Sequence, residues 1–112
     1  MTVVWYYVRD LEAARDFYHR KLGFVESGHD DAEGWVRLER GETKIGLTEG
    51  EPQPDGAVAH VDVDDVKAMA EQLRDAGVEV GVVFELHGEM RLLDVFDPDG
   101  NRLQFAEELS AG

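Results

Sequence analysis

A set of side chains in this sequence combines aromatic faces with hydrogen-bonding groups on segments that alternate like β-strands. Indole and phenol rings stack on planar or cationic molecules, while guanidinium, imidazole and amide groups make hydrogen bonds. A small-molecule cleft of moderate size requires such a mixture of rings and a few polar groups. We therefore predict a ligand site made of Trp5, Tyr7, Trp35, Arg37, His60, Arg91 and Gln104.

Residues two apart on a strand share a face, and this divides most of the predicted strands into an apolar and a mixed set. The apolar sets are expected to pack under helices: Val4/Tyr6/Val8, Ile45/Leu47, Ala59/Val61/Val63 and Leu103/Phe105. The mixed sets are expected to line the cleft: Val3/Trp5/Tyr7, Trp35/Arg37/Glu39, Lys44/Gly46/Thr48, Val58/His60/Asp62 and Arg102/Gln104/Ala106.

His60 is the one candidate for a catalytic residue, and the sequence supports two interpretations of it. An imidazole titrates near neutral pH and can act as a general base, so a metal-free enzyme is conceivable. Alternatively, His60 is a hydrogen-bonded histidine of the cleft or the core. The other histidines, His19, His29 and His87, fall on a predicted helix and in loops, where surface positions are expected.

The elements that must position these side chains begin with a unit of one helix and four strands. A β-rich segment over 2–8 precedes Asp10, whose carboxylate can cap a helix that Gly23 ends. Three β-patterned segments follow at 24–27, 35–39 and 43–48, joined by turn residues at 28–31 and 40–42. The apolar stripe of the helix is Leu11, Ala14, Phe17, Tyr18 and Leu22.

The same pattern is repeated after a linker over 50–57 that contains prolines. Asp64 or Asp65 can cap a second helix, which Gly77 ends. The segment Asp65-Val66-Lys67-Ala68 matches Asp10-Leu11-Glu12-Ala13, so an internal duplication is visible. The duplication places Trp5 at the position that His60 occupies in the second unit. The predicted strands of that unit are 58–63, 78–84, 91–96 and 101–107.

Motifs near both ends of the chain resemble a known family. Asp97-Pro98-Asp99-Gly100-Asn101 predicts a tight turn before a strand, and the run from Asp10 to Phe24 predicts the first helix and its end. Together they resemble the vicinal oxygen chelate superfamily, also called the glyoxalase/bleomycin resistance/dioxygenase fold, over essentially the whole chain. The resemblance implies an α+β fold in one domain over 1–112, with unit one at 1–49 and unit two at 58–109. It also implies that the two tandem βαβββ units form an incomplete eight-stranded barrel around a cleft, with the helices outside.

Many members of that family bind a divalent ion through His and Glu side chains on the first and last strands of each unit. The matching positions in this sequence hold Val3, Gly46, Val58 and Gln104. Valine and glycine offer no ligand atom on a side chain, and an amide is a weak neutral donor. We therefore predict no metal and no cofactor, with a site that recruits His60 through a slipped register as the alternative.

Besides a metal-free enzyme that uses His60, the resemblance leaves three functional classes open. The first is a metal-independent binding protein that sequesters a planar or cationic small molecule, as the bleomycin resistance proteins of the family do. The second is a divalent-metal-dependent lyase, epimerase or dioxygenase, although Gln104 stands where the family usually has a Glu, and an amide cannot accept a proton at neutral pH. The third is an interaction module whose aromatic strand is buried in a homodimer interface. A homodimer is expected in the first class as well.

Composition limits the partners further. The chain has 25 acidic and 11 basic residues and a formal net charge of −14, which disfavours nucleic acid. This charge indicates either a solvated acidic surface or a cleft that attracts cations. The sequence lacks cysteine, which excludes disulfides and thiolate ligands, and it has no apolar run long enough to span a membrane. A cytoplasmic protein without a membrane partner is the expectation.

Overall fold

The computed structural model describes residues 3–53 and 56–109, which fold as two βαβββ units in tandem. Unit one consists of β1 (Val4–Val8), α1 (Leu11–Arg20), β2 (Val25–Asp30), β3 (Trp35–Arg40) and β4 (Thr43–Glu49). Unit two consists of β5 (Ala59–Asp62), α2 (Val66–Asp75), β6 (Glu79–Val80), β7 (Phe84–Leu86), β8 (Met90–Phe96) and β9 (Arg102–Glu108). The predicted α+β architecture is confirmed. Residues 1–2, 54–55 and 110–112, which the sequence places at the start of the first strand, in the linker and at the end of the domain, lie outside the described residues.

Each unit forms one mixed sheet, and the two sheets have the same strand order. In the first sheet the order is β1-β4-β3-β2, and β1 runs parallel to β4. In the second the order is β5-β9-β8-β6, with β7 also paired to β8, and β5 runs parallel to β9. The duplication seen in the sequence is therefore a duplication of topology.

Strand β2 is longer than predicted, because residues 28–30 continue the ladder instead of forming a hairpin connection. The pairing with β3 resumes at Gly28 after a register shift, which makes Ser27 a bulge. The hairpin turn lies further on and is closed by a hydrogen bond from Gly34 N to Asp30 O at 2.8 Å. The sequence misled here because glycine and aspartate are typical of turns but also occur at bulges.

The predicted strand over 78–84 is interrupted. Residues 81–83 separate β6 from β7, and both short strands pair with β8. Gly81 N donates to Asp94 O at 2.9 Å, so the interruption stays attached to the sheet. The described residues thus contain nine strands where eight were expected, with the topology otherwise unchanged.

Both helices begin at an aspartate cap. The carboxylate of Asp10 accepts a hydrogen bond from Ala13 N at 3.1 Å, and that of Asp65 accepts one from Ala68 N at 3.0 Å. The sequence predicts either Asp64 or Asp65 as the cap of the second helix, and the structure shows that it is Asp65. These bonds satisfy donors that the first helical turn leaves free.

One apolar core runs through both units. The strand faces predicted to pack under the helices do so: Tyr6, Val8, Ile45, Leu47, Ala59, Val61, Leu103 and Phe105 are all buried. Tyr6 joins the units directly, because its hydroxyl accepts from Ala59 N at 2.8 Å and donates to Arg102 O at 2.6 Å. The face of each sheet opposite the helices, here called the open face, carries the candidate site.

In the part of the chain that the structure describes, no helix is long and apolar enough to cross a bilayer. The cytoplasmic location stays a prediction.

Candidate functional site

The aromatic rings expected in the cleft lie together on the open face of the first sheet. The register aligns Trp5, Gly46 and Arg37 in one row across β1, β4 and β3, and Tyr7, Thr48 and Trp35 in the next. We call Trp5, Tyr7 and Trp35 the aromatic patch. Trp5 and Tyr7 are 45% and 43% exposed, so the patch offers ring surface to a ligand.

The two tryptophans pack against each other, and Arg37 lies at their edge. The ring centroids of Trp5 and Trp35 are 6.1 Å apart at 85°, which is the favourable edge-to-face arrangement. The guanidinium carbon of Arg37 lies 5.9 Å from the Trp35 centroid, within cation–π range. The arrangement holds two rings in fixed orientations beside a positive charge.

The Trp5 indole packs directly against Gly46. A Cβ built on Gly46 would lie 2.3 Å from Cε3 of Trp5, a distance that no side chain tolerates. Gly50 has a similar relation to Tyr7, with 2.8 Å from its Cβ position to Cδ1 of the phenol ring. Strand alternation places Gly46 on the cleft-lining face and the family pattern makes it a missing metal ligand, but neither predicts its contact with Trp5. A glycine within a strand that also carries large rings as neighbours was the available signal for close approach.

The second sheet presents a polar row at the equivalent place. His60, Gln104 and Asp94 are aligned across β5, β9 and β8 as Trp5, Gly46 and Arg37 are across the first sheet. The register therefore places Trp5 and His60 at equivalent positions, as the duplication predicts. Gln104 Nε2 donates to Asp94 Oδ1 at 3.5 Å, and Arg102 Nη1 lies 3.4 Å from Asp94 Oδ2.

His60 is exposed and borders a groove of about 260 Å³ between β4 and β5, which Lys44 and Asp62 also line. The Thr43 hydroxyl donates to the His60 backbone carbonyl at 2.6 Å, which joins the two units at this groove. His60 is thus a residue of the open face and not of the core. Its role as a general base stays a prediction.

The structure places Arg91 away from the other candidates. Alternation along β8 puts Arg91 on the helix side, where its guanidinium lies 3.3 Å from Glu85 and 3.6 Å from Glu107. Glu107 also accepts from Val66 N at the start of α2, at 3.0 Å. The expectation of Arg91 at the cleft came from the preceding loop and took no account of strand alternation.

The site residues therefore form two groups. Trp5, Tyr7, Trp35 and Arg37 lie on the first sheet, and His60 and Gln104 lie on the second. Within the described residues, no side-chain hydrogen bond or ring contact connects the first group to the second. A ligand that touched both groups would have to bridge two open faces.

A divalent metal does not fit the donors on these faces. The paired positions Trp5 and Gly46 provide no ligand atom, and their counterparts His60 and Gln104 provide one imidazole and one amide. Across residues 3–53 and 56–109, no three His, Asp or Glu side chains converge on a common point. Val3 and Val58, named from the family pattern, cannot complete such a set.

Two tyrosines with raised pKa values lie on the core side of the first unit. Burial raises the pKa of Tyr6 to about 12. Burial and the neighbouring Asp97 carboxylate raise the pKa of Tyr18 well above its ordinary value. The Tyr18 hydroxyl donates to Asp97 Oδ2 at 2.7 Å, which ties α1 to the turn between β8 and β9. Both phenols remain neutral and support the sheet that carries the patch.

Comparison with known proteins gives one family. A model described as the Glyoxalase/Bleomycin resistance protein/Dioxygenase superfamily matches residues 2–105. No protein with a curated description matches the chain.

Solved structures share the fold at low identity. An integron cassette protein from the mobile metagenome of the Halifax Harbour sewage outfall is 23% identical over 96% of this chain and 97% of its own, with a TM-score of 0.83. A bleomycin-binding protein from Streptomyces verticillus, in complex with copper(II)-bleomycin, is 22% identical over 95% and 93%, with a TM-score of 0.74. Lactoylglutathione lyase from Agrobacterium tumefaciens is 18% identical over 96% and 92%, with a TM-score of 0.76.

Proposed function

Because this chain belongs to the glyoxalase/bleomycin resistance protein/dioxygenase superfamily, we propose that it is a metal-independent small-molecule binding protein whose ligand stacks on the aromatic patch. The observation that carries the proposal is the edge-to-face pair of Trp5 and Trp35, in which Trp5 is 45% exposed and Trp35 is half-buried. Rings left at the surface of a sheet cost solvation free energy, and a planar ligand would recover it.

The proposed mechanism is binding without chemistry. A planar compound would stack on the indoles, with Tyr7 and Arg37 at the margin of the contact. One neighbour of this fold is a bleomycin-binding protein. At 22% identity that likeness supports binding as the class of function and does not identify the ligand.

We propose that the protein acts as a homodimer, in which two copies bury the exposed apolar groups of the second sheet. The open face of the second sheet carries carboxylates at Asp62 and Glu108 and exposed apolar groups at Phe84 and Leu86. The aromatic patch and Arg37 lie on the first sheet, outside the proposed interface, and stay accessible to a ligand. Phe84 and Leu86 would be buried between the two copies. Sedimentation velocity tests this, and a monomer at micromolar concentration would refute it.

The binding proposal is tested by calorimetric titration of protein kept in EDTA with three probes of one ring system: 2-naphthoate, 2-naphthamide and 2-naphthylmethylammonium. We expect at least one probe to bind. Trp5→Leu and Trp35→Leu should each weaken it about five- to tenfold, because a stacked ring contributes about 1 kcal/mol beyond its area. Phe84→Leu, which removes an exposed ring from the other sheet, is the matched control and should leave affinity unchanged.

Two results would contradict the proposal. The first is an affinity that the tryptophan variants do not alter. The second is that the probes bind only after the protein has taken up Zn²⁺, Ni²⁺, Mn²⁺ or Fe²⁺ in stoichiometric amount. That result would support the metal-dependent lyase, epimerase or dioxygenase class instead.

A further inference from the structure

We propose that the ligand of the aromatic patch is a planar aromatic anion, whose rings stack on the indoles and whose acid group binds Arg37. This inference rests on the proposed function of the patch and goes one step beyond it. It selects a class of ligand where the sequence left planar and cationic compounds open.

Arg37 is the exception among the arginines of this acidic chain. Within residues 3–53 and 56–109, it is the one arginine whose guanidinium has neither a hydrogen bond nor an ion pair to the protein. The other seven contact acceptors as follows: Arg9 with Asp99, Arg15 with Glu26, Arg20 with Asp16, Arg40 with Leu22 O, Arg74 with Gly81 O, Arg91 with Glu85 and Glu107, and Arg102 with Asp94.

The unpaired guanidinium also lies beside the two indoles of the aromatic patch. Arg37 shares its row with Trp5 and lies 5.9 Å from the centroid of Trp35. The bulge in β2 sets Gly28 opposite Arg37, and the guanidinium extends over that glycine, with Nη2 3.8 Å from where a Cβ would lie. No side chain at position 28 therefore covers the guanidinium. A planar fork of donors held at the edge of a stacking surface matches a carboxylate on an aromatic ring.

The acidic groups that face Arg37 from the neighbouring strands are already engaged. Glu39, next on the same face of β3, lies 3.7 Å from the ammonium of Lys44 on β4. Asp30 on β2, paired with Trp35, accepts from Glu33 N at 3.0 Å in the hairpin turn. Asp30 keeps its charge, but neither carboxylate contacts Arg37, so the guanidinium is the cation on this part of the open face that has no carboxylate partner.

A cationic ligand would be repelled there, and an anionic one attracted. A ligand cation stacked on Trp35 would lie close to the positive charge that already occupies the edge of that ring. The net charge of −14 opposes anions at long range, but at physiological ionic strength this repulsion is screened beyond about 8 Å. Local contacts therefore decide the preference.

The experiment is the titration of the same three naphthalene probes into wild type and Arg37→Gln, in EDTA and 0.15 M salt. We expect wild type to bind 2-naphthoate about tenfold more tightly than 2-naphthamide, as for one hydrogen-bonded charge pair, and 2-naphthylmethylammonium most weakly. Arg37→Gln should lower the affinity for 2-naphthoate to that for the amide and leave the amide unchanged. Arg102→Gln, an arginine of the other sheet, is the matched control and should keep the preference.

The outcomes separate the two proposals. If wild type binds the amide or the ammonium as tightly as 2-naphthoate, or if Arg37→Gln retains the preference, the anionic ligand class is wrong, while sensitivity to Trp5→Leu still supports the patch as a binding site. If none of the probes binds, both proposals fail. Circular dichroism of Arg37→Gln confirms that the exposed substitution leaves the fold intact.

Discussion

Gly46 contributes to the candidate site through the side chain that it lacks. Trp5 lies across it, and the indole edge meets Trp35 on the neighbouring row. A buried strand position normally favours a β-branched residue, so glycine here is unfavourable for the strand itself. The loss is compensated by the close approach of a large ring to the sheet.

Gly46→Ala tests this arrangement. A Cβ on Gly46 would lie 2.3 Å from the Trp5 indole, so Gly46→Ala must displace the indole or shift β4. We expect a loss of about 1–3 kcal/mol in the free energy of unfolding, as for overpacked sites. The near-ultraviolet circular dichroism should also change, since Trp5 and Trp35 are the chain's two tryptophans and form the coupled pair.

The control is Gly28→Ala on the same sheet, where a Cβ would make ordinary contact at 3.8 Å. Its urea midpoint and near-ultraviolet spectrum should stay close to wild type. In addition, Trp5→Leu combined with Gly46→Ala should cost less than the sum of the two changes. Strict additivity would show that the two residues do not interact.

At the scale of elements, each helix depends on one aspartate at its start. Asp10 and Asp65 occupy equivalent places in the two units and make the same bond to the amide three residues on. The positive end of the helix dipole further favours a carboxylate there. The caps fix where the helices begin relative to the strands that precede them.

Asp65→Ala should lower the free energy of unfolding by about 1 kcal/mol, because the amide of Ala68 loses its acceptor. Asp64→Ala is the matched control, since Asp64 is the adjacent exposed aspartate and is not the cap. Urea denaturation of the two variants provides the comparison. Equal destabilisation by both would mean that the effect comes from net charge and not from capping.

At the scale of the whole molecule, Tyr6 binds the two units into one core. Its hydroxyl reaches from β1 to the backbone of β5 and β9, so both units are needed to satisfy it. A buried phenol in such a position must stay protonated, and burial raises its pKa to about 12. The junction between the units is therefore sensitive to alkaline pH.

The sign of this dependence follows from linkage. Because the pKa of Tyr6 is about 12 in the folded protein and 10.0 for an ordinary tyrosine, the unfolded chain loses the proton first as pH rises. The stabilisation is complete below about pH 10 and is lost between about pH 10 and 12, a total of about 2–3 kcal/mol. Urea unfolding at pH 8 to 11.5 measures it.

Tyr6→Phe should be less stable than wild type at pH 8 by about 1–2 kcal/mol, since Ala59 N loses its acceptor. Above pH 10 the free energy of unfolding of this variant should fall less steeply than that of wild type. Tyr7→Phe, which removes an exposed phenol from the same strand, should retain the wild-type slope. An identical slope in Tyr6→Phe and wild type would contradict the assignment.

The sequence by itself determined the order of elements, the duplication and the division of most strands into two faces. These are local properties: a cap such as Asp10, a helix-ending glycine such as Gly23 and alternation along a strand act over a few residues. Trp5, Tyr7, Trp35 and Arg37 were correctly expected on one face for this reason.

Only the tertiary structure decided which residues meet across strands. Three features depend on the register between distant segments: the bulge that sets Gly28 beneath Arg37, the packing of Trp5 on Gly46 and the interruption at Gly81. The separation of His60 and Gln104 from the aromatic patch depends on how the two sheets are arranged. Register and sheet arrangement result from the packing of the whole core, so no local pattern in the chain specifies them.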